Sequence, residues 1–377
     1  MTCQRLAVQV ATTVDPTDGG PAVGMVQLNA ALRRVGFTTP LIVTRQRHED
    51  RQQGSGRAGV QSHRSLGPRR LGFSPGQALA VLRLSRRARF LHSHGLYLTH
   101  NLWTYLAHRL WAVPYSVQLH GVLEPYQRGE HVRQKAIWDA VFGNRFLRDA
   151  SWILAASPSE AARLPDTIPK HKIHVIALGS PPEPDAARGL WLARPQHKQV
   201  IFLGRLAKKK RLDLLLAAWV DVACAVPEAR LAIAGSGAEE GSLAQTITSL
   251  ALNGSVSLVG HVDGDEKDDF LRRASLFVLP SDNENFGLAV IEALTYALPV
   301  VLSDGVAVAS DVIRSGAGWL VPADDREALC AALVAALNAS REELEERGSA
   351  AQSYAAAHYD WLSAAKAVVT AHGAVEH

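Results

Sequence analysis

Four positive charges follow a short apolar run in the second half of the sequence. The run Gln199–Leu203 leads into residues 204–210, which read Gly-Arg-Leu-Ala-Lys-Lys-Lys. Arginine binds phosphate oxygens through paired hydrogen bonds, and lysine acts as a point charge. A diphosphate is therefore the natural partner of this cluster. We interpret Arg205 and Lys210 as the binding residues, and Lys208 and Lys209 as part of a solvated basic turn.

A second polar motif contributes two carboxylates. Residues 280–288 read Pro-Ser-Asp-Asn-Glu-Asn-Phe-Gly-Leu, which places Glu284 in a loop, and Glu292 follows about two helical turns into the next helix. Carboxylates near a cationic cluster can accept hydrogen bonds from sugar hydroxyls. The N–H groups of Phe286, Gly287 and Leu288 at a helix start suit phosphate oxygens. In the alternative interpretation, Glu284 only lies near this helix start and Glu292 is a surface residue. Because Glu292 stands in an otherwise apolar stretch, however, it needs a polar partner.

The first half has weaker signals at the ends of its strand-like runs. Asp18-Gly19-Gly20-Pro21 sits between the first run and a helix, where glycines allow a ligand to approach the backbone. It is not the G-x-G-x-x-G fingerprint of dinucleotide-binding proteins. The pairs His94-Gly95 and His120-Gly121 each follow an apolar run. His92, His94 and His120 lack an accompanying carboxylate, which argues against a metal site.

Composition excludes several classes of protein. The chain has 377 residues, of which 47% are hydrophobic and 20% charged, as in ordinary globular proteins. Three distant cysteines form no disulfide framework and indicate a reducing compartment. No apolar run approaches the ~18 residues that span a bilayer. We therefore expect a cytoplasmic protein, in solution or peripheral at the inner face of the cell membrane.

Charge is distributed unevenly along the chain. Residues 1–190 hold 24 Lys and Arg against 12 Asp and Glu, whereas residues 191–377 hold 16 against 24. A basic half can indicate an anionic partner or only an arginine-rich genome. The Arg-rich stretch Gln46–Pro75 lacks the interleaved aromatics of a nucleic-acid-binding segment, so we expect no nucleic acid partner.

Short apolar runs alternate with helix-length segments throughout the sequence. This alternation predicts two doubly wound α/β domains of Rossmann-like type, with ligands at the carboxyl ends of the strands, facing a cleft. The expected organisation is an N-terminal domain (1–180), a proline-rich linker (181–197), a second domain (198–357) and a C-terminal segment (358–377). We interpret Gln46–Pro75 as a loose surface loop. The predicted strands are Leu6–Ala11, Thr39–Val43, Phe90–His92, Tyr115–Leu119, Trp152–Ala155, Ile173–Ala177, Gln199–Leu203, Arg230–Ala234, Val256–Val259, Leu276–Leu279, Pro299–Leu302 and Gly318–Val321.

These motifs resemble those of the retaining GT-B glycosyltransferases of family 4, often called the group 1 family. The resemblance spans essentially the whole chain. It depends on the glycines before Pro21, on His120-Gly121, on Gly204-Arg205-Leu206 with Lys210, and on Glu284-Asn285-Phe286-Gly287 with Glu292. One position departs from the family pattern, because the residue after Lys210 is usually glycine and here is Arg211.

The resemblance implies a role for each matched position. Arg205 and Lys210 would hold the donor diphosphate, and Gly19 and Gly20 would pass close to it. Glu284 would contact donor sugar hydroxyls, and Glu292 would bind the ribose. His120 would lie beside the reacting sugar, with His94 and Gly121 on the acceptor side. The donor contacts would be completed by Asn285, Phe286, Gly287 and Leu288, and a terminal helix near Trp361 would cross back to the first domain.

The implied reaction is the transfer of a hexosyl group, with retention of configuration, from a UDP- or GDP-sugar to a glycan or lipid-linked acceptor. The resemblance points to synthesis of surface polysaccharide or glycoconjugates. No metal or other cofactor is expected, because two fixed cations can stabilise the leaving diphosphate. Residues 126–148 are predicted to form one helix with an apolar side and a basic side, which suits either core packing or an anionic membrane. A nucleotide-sugar epimerase and a non-catalytic sugar-nucleotide-binding subunit remain alternatives.

Overall fold

A computed structural model describes residues 5–15, 19–45, 59–66, 72–129, 131–180 and 198–373. The chain divides into two compact units, Met1–Gly179 with Trp361–His377, and Ser180–Asp360. The second boundary therefore lies three residues later than the sequence predicts. The expected linker, 181–197, and Asp18 lie outside the described residues.

The first unit contains a seven-stranded parallel sheet in the order β3-β2-β1-β4-β5-β6-β7. The strands are β1 (Ala7–Val10), β2 (Leu41–Arg45), β3 (Val60–Arg64), β4 (Phe90–His94), β5 (Tyr115–Gln118), β6 (Trp152–Ala155) and β7 (Ile173–Val175). The helices are α1 (Gly20–Arg34), α2 (Pro75–Ser85), α3 (Thr99–Trp111), α4 (Pro125–Gly129), α5 (Val132–Trp138), α6 (Asn144–Asp149) and α7 (Pro158–Ala162).

The second unit contains a six-stranded parallel sheet in the order β10-β9-β8-β11-β12-β13. The strands are β8 (Gln199–Leu203), β9 (Arg230–Ala234), β10 (Val256–Gly260), β11 (Leu276–Leu279), β12 (Val300–Ser303) and β13 (Gly318–Val321). The helices are α8 (Leu212–Ala225), α9 (Glu240–Ser249), α10 (Gly264–Arg273), α11 (Leu288–Thr295), α12 (Ala309–Arg314), α13 (Arg326–Asn338) and α14 (Arg341–His358). Helix α15 (Trp361–Gly373) belongs to the first unit, where it packs against α1.

The central strands are buried along their whole length because helices cover both faces of each sheet. Every residue of β1, β4, β11 and β12 is buried. In both sheets the strand order reverses beside the first strand, between β1 and β4 and between β8 and β11. Ligands of doubly wound folds bind outside the carboxyl ends of the strands at this reversal. The glycine, histidine, cationic and carboxylate motifs all follow strands at or next to these two positions.

Two predictions about local structure are wrong. The stretch Gln46–Pro75 is not all loop, because Val60–Arg64 forms edge strand β3, which is mostly solvent-exposed and so has no apolar run. The single helix predicted over 126–148 is broken into α4, α5, a π-helical turn at Asp139–Gly143, and α6. A π turn inserts one residue into the helical repeat and so shifts the exposed face.

Candidate functional site

The cationic loop of the second unit runs from Gly204 to a 3₁₀ helix at Lys208–Lys210. Leu206 anchors it, because this side chain is buried and its N–H donates to the carbonyl of Ser236 at 2.9 Å. Arg205 remains exposed, whereas Lys210 is only 9% exposed. At the end of β8 the loop therefore carries the solvent-exposed guanidinium of Arg205 and the buried ammonium group of Lys210.

Lys210 and Glu284 form an ion pair between the cationic loop and the loop after β11. The Lys209 Nζ atom lies 3.9 Å from the same carboxylate oxygen. Burial of Glu284 opposes its ionisation, but Lys210, Lys209 and Arg205 outweigh this effect and hold its pKa below the ordinary value. The sequence placed both residues in the site, and the structure shows that they are direct partners.

Arg211, the departure from the family pattern, adopts φ 51° and ψ 41°. This left-handed conformation costs a non-glycine residue roughly 1–2 kcal/mol, which explains why glycine suits the position. The guanidinium contacts three aspartates, Asp282 at 2.8 Å, Asp324 at 2.6 Å and Asp213 at 3.3 Å. The backbone of Arg211 thus has the shape that glycine favours, and its side chain adds ion pairs that glycine cannot form.

The loop that carries Glu284 is fixed by its backbone. The N–H of Glu284 donates to Gly305 and its carbonyl accepts from Ala307, at 2.9 and 3.0 Å. Asn285 follows, and Phe286 is buried, with its ring edge-to-face against that of Tyr359. Gly287 then takes φ 78°, and Leu288 begins α11. The Val290 N–H donates to the Gly287 carbonyl at 2.8 Å, so Leu288 and Ala289 carry the first N–H groups of α11 that would donate to an anion beside Glu284.

Glu292 finds the partner that the sequence requires. Its Oε1 atom lies 3.0 Å from the Nζ atom of Lys267 on α10. Burial disfavours the charged form of Lys267, but the Glu292 carboxylate outweighs this effect and raises the pKa of the lysine. Sequence reasoning missed Lys267, because the acidic run 263–269 in which it lies is typical of a solvated loop or a helix cap. Asp263 does cap α10, with its carboxylate accepting the Gly264 N–H at 2.9 Å.

The glycine motif of the first unit stands at the start of α1. Gly19 has φ 94° and occupies the N-cap, and Gly20 is the first helical residue. Among the described residues, no side chain caps this helix start. Pro21 has no N–H, and the Ala22 N–H donates to the Gly19 carbonyl at 3.1 Å, so the Gly20 N–H is the group of this helix start that would donate to an anion at the end of β1.

His120 stands at the end of β5 with φ 57°. Its Nε2 atom lies 3.1 Å from Nδ1 of His94, whose Nε2 atom lies 2.9 Å from Oε1 of Gln9. Burial lowers the pKa of His120 to about 3 and that of His94 well below its ordinary value. Two of the three histidines that the sequence singled out, His94 and His120, are therefore hydrogen-bonded partners, and both are neutral at physiological pH.

Glu160 is a buried carboxylate that the sequence analysis did not select. Its two oxygens accept the N–H groups of Gly121, at 2.5 Å, and Ala156, at 2.7 Å. It thereby fixes the backbone of the His120-Gly121 turn from α7, 39 residues away along the chain. The sequence offered one clue, because Ser157, three residues earlier, caps the same helix through the Glu160 N–H.

The described residues contain no group of three or more His, Cys, Asp or Glu side chains that could hold a metal ion. His92 instead contacts the Ser116 hydroxyl at 2.7 Å, and that hydroxyl also contacts His372 of α15 at 3.0 Å. His92 thus has a packing role within the first unit. In addition, no helix in the described ranges has the length and apolarity that crossing a bilayer requires.

Two family models match the chain. The model described as "Glycosyl transferase 4-like domain" matches residues 19–179, and the model described as "Glycosyl transferases group 1" matches residues 186–354. The chain belongs to the group 1 glycosyl transferases. The second match includes the cationic loop, Glu284 and Glu292, and the first match begins at Gly19.

Curated relatives of this group 1 chain include mannosyltransferases. The phosphatidyl-myo-inositol mannosyltransferase of Mycobacterium leprae is 33% identical over 221 residues, which are 58% of this chain and 54% of the relative. The GDP-mannose:cellobiosyl-diphosphopolyprenol alpha-mannosyltransferase of Xanthomonas campestris is 25% identical over 79% of this chain and 78% of the relative. For the mycobacterial mannosyltransferases the match spans just over half of their length.

Solved structures share the fold of this group 1 chain. Sucrose-phosphate synthase from Thermosynechococcus elongatus superposes with a TM-score of 0.78 at 20% identity, covering 97% of this chain and 98% of the other. Anabaena HepE, solved in complex with UDP and glucose, gives 0.77 at 16% identity over 98% of this chain and 100% of the other. The fold is that of the GT-B glycosyltransferases, with parallel sheets of seven and six strands.

Proposed function

We propose that this protein transfers a hexosyl group, with retention of configuration, from a UDP- or GDP-sugar to a glycan or lipid-linked acceptor. The observation that carries the proposal is the pairing of Lys210 with Glu284 beside Arg205, at the strand-order reversal of the second sheet. The pair places a diphosphate-binding cation next to a carboxylate that sugar hydroxyls can approach. Family membership supports the same function.

The charges of the site match those that develop during transfer. Cleavage of the sugar–phosphate bond leaves negative charge on the diphosphate and positive charge on the anomeric carbon. Arg205, Lys210 and the first N–H groups of α11 would stabilise the first charge, and Glu284 would lie near the sugar. We further propose that the acceptor attacks from the face that the diphosphate leaves, so that a phosphate oxygen takes the acceptor proton.

The same cations support a metal-independent reaction. A divalent metal often neutralises a leaving diphosphate in other enzymes. Here Arg205, Lys209 and Lys210 supply positive charge within one loop. We therefore expect transfer to persist in EDTA, and loss of transfer in EDTA with recovery in Mn²⁺ would overturn this part of the proposal.

Donor binding is tested first with UDP, GDP, ADP and their common sugar conjugates. A nucleotide present at 100 times its dissociation constant should stabilise the protein by about 2.7 kcal/mol, which thermal unfolding detects. The stabilisation by one nucleotide series should disappear in Arg205→Ala and persist in Arg273→Ala, which removes an exposed arginine of α10. Absence of stabilisation by every nucleotide would contradict the donor site. Sugar isomerisation without acceptor would indicate an epimerase, and donor binding without turnover a non-catalytic subunit.

The acceptor side suggests a membrane surface. Val132, Ile137 and Val141 are 59%, 65% and 77% exposed, whereas Leu147 is buried. The apolar side predicted for this segment is thus turned largely to solvent. Exposed arginines occur in the same segment, at positions 133, 145 and 148. Exposed apolar side chains among arginines suit an anionic bilayer, and we propose peripheral membrane binding through α5, the π turn and α6.

Vesicle sedimentation tests this surface. The protein should sediment with vesicles of phosphatidylglycerol and phosphatidylcholine but not with phosphatidylcholine alone. The double variant Ile137→Ser/Val141→Ser should lower the vesicle partition coefficient by roughly 100-fold or more, because burial of each apolar side chain contributes about 1.5–3 kcal/mol. Leu250→Ser, which changes an exposed leucine of the second unit, is the control. Equal binding by all three proteins would contradict the assignment.

A further inference from the structure

Arg211 joins the two loops that carry the proposed donor site. It directly follows Lys210, and its guanidinium contacts Asp282, which lies two residues before Glu284. The Asp282 N–H also donates to the carbonyl of Lys209 at 2.9 Å. One side chain and one backbone hydrogen bond therefore link the segments whose Lys210 and Glu284 side chains form the ion pair.

A third segment is held by the same guanidinium. Asp324, after β13, contacts the Arg211 Nη2 atom at 2.6 Å, and its own φ is 63°. The Arg211 side chain is 17% exposed, although its aspartate partners are mostly open to solvent. Individual ion pairs of exposed carboxylates contribute little to stability. The network therefore matters for geometry, because it fixes three loops at one edge of the sheet.

The loop with Glu284 has little freedom on its other side. A Cβ at Gly305 would lie 2.4 Å from the carbonyl oxygens of Ser281 and Asp282, so the backbones are in close contact there. The Ser303 hydroxyl also donates to the Ser281 carbonyl at 2.5 Å. The Glu284 loop is thus packed against the turn after β12 on one side, and Arg211 holds it on the other side through Asp282.

We propose that Arg211 is a positioning residue that aligns the cationic loop with the Glu284 loop and so sets the affinity for the donor diphosphate. This inference depends on the proposed function. The family usually has glycine at this position. Glycine has no side chain, so it could not hold the two loops together. Arg211 does not contact the donor itself, and it acts through Lys210 and Glu284.

Arg211→Gly tests the proposal without disturbing the backbone, because glycine adopts positive φ freely. Thermal stability should be nearly unchanged, while the KM for the donor rises about tenfold and kcat changes less than threefold. Asp282→Asn should give the same pattern, and its effect should not add to that of Arg211→Gly. Asp213→Asn is the matched control, because Asp213 lies in the same segment as Arg211 and links no second loop.

Amide hydrogen exchange in the ligand-free protein separates this proposal from the proposed function. In Arg211→Gly, peptides covering 204–211, 280–287 and the Asp324 loop should exchange at least threefold faster, and the strands of the second sheet should not change. Faster exchange together with an inactive wild type would support the positioning role and contradict the proposed function. Unchanged exchange, or an unchanged donor KM in an active enzyme, would overturn the role of Arg211.

Discussion

Replacing Lys210 with alanine is expected to lower the kcat of sugar transfer by about 100- to 1,000-fold, the usual effect of removing one preorganised contact to a developing charge. Lys210 is the buried cation of its loop, and its ammonium group contacts Glu284 directly. Steady-state kinetics with the nucleotide-sugar identified by thermal unfolding would measure this loss.

Lys208→Ala is the matched control for this prediction. Lys208 lies in the same 3₁₀ helix but is exposed, and its substitution should change kcat less than threefold. Lys210→Ala also leaves the Glu284 carboxylate with a more distant cation, Lys209 at 3.9 Å. Thermal unfolding of both variants therefore has to accompany the kinetics. Near-wild-type transfer by a folded Lys210→Ala enzyme would refute the site.

As the pH is lowered, the first unit is expected to lose stability at a higher pH than the second unit. Burial lowers the pKa of His92 and His100 to about 4 and that of His120 to about 3, and it also lowers those of His94 and His372. An unfolded histidine has a pKa near 6.5. Between pH 6.5 and about 4 the unfolded state therefore binds more protons than the folded state, so stability falls as pH falls.

The size of this effect is about 1.4 kcal/mol per pH unit for each histidine. At pH 5, three such histidines together lower the free energy of unfolding by about 6 kcal/mol, which is comparable to the whole stability of a domain. Thermal unfolding between pH 5 and 8 should show a first-unit transition that moves to lower temperature below pH 6.5. His92→Asn should reduce the pH dependence of this first-unit transition by the equivalent of about one bound proton. His358→Asn, which changes an exposed histidine of the second unit, should leave that pH dependence unchanged. A transition independent of pH over this range would exclude the effect.

Much of the fold could be predicted because its strands are buried on both faces. Five of the predicted strands, including Gln199–Leu203 and Leu276–Leu279, agree residue for residue with the structure. Such strands are continuous apolar runs that local composition reveals. Edge strand β3 has an exposed Gln-Ser pair and no such run. The π turn at Asp139–Gly143 was also invisible, because the apolar spacing on either side still fits a helix.

The candidate residues could be predicted for a related reason. Parallel strands bring their carboxyl ends to one edge, so motifs that directly follow strands gather there whatever their separation in sequence. This rule placed His94 near His120 and the cationic loop near Glu284. It says nothing about side chains on helices, which is why Lys267 and Glu160 were missed.

The sequence by itself determined the family, the two parallel sheets and the positions of the polar motifs, because these depend on local composition and on the order of elements along the chain. Tertiary structure alone decided which polar groups form ion pairs and hydrogen bonds with one another. Lys210 pairs with Glu284 across 74 residues, and Gly121 meets Glu160 across 39. Arg211 looked like an anomaly until its φ and its three aspartates were known. An ion pair forms where neighbouring strands and helices bring side chains within a few ångströms, and that distance is a property of the packed chain.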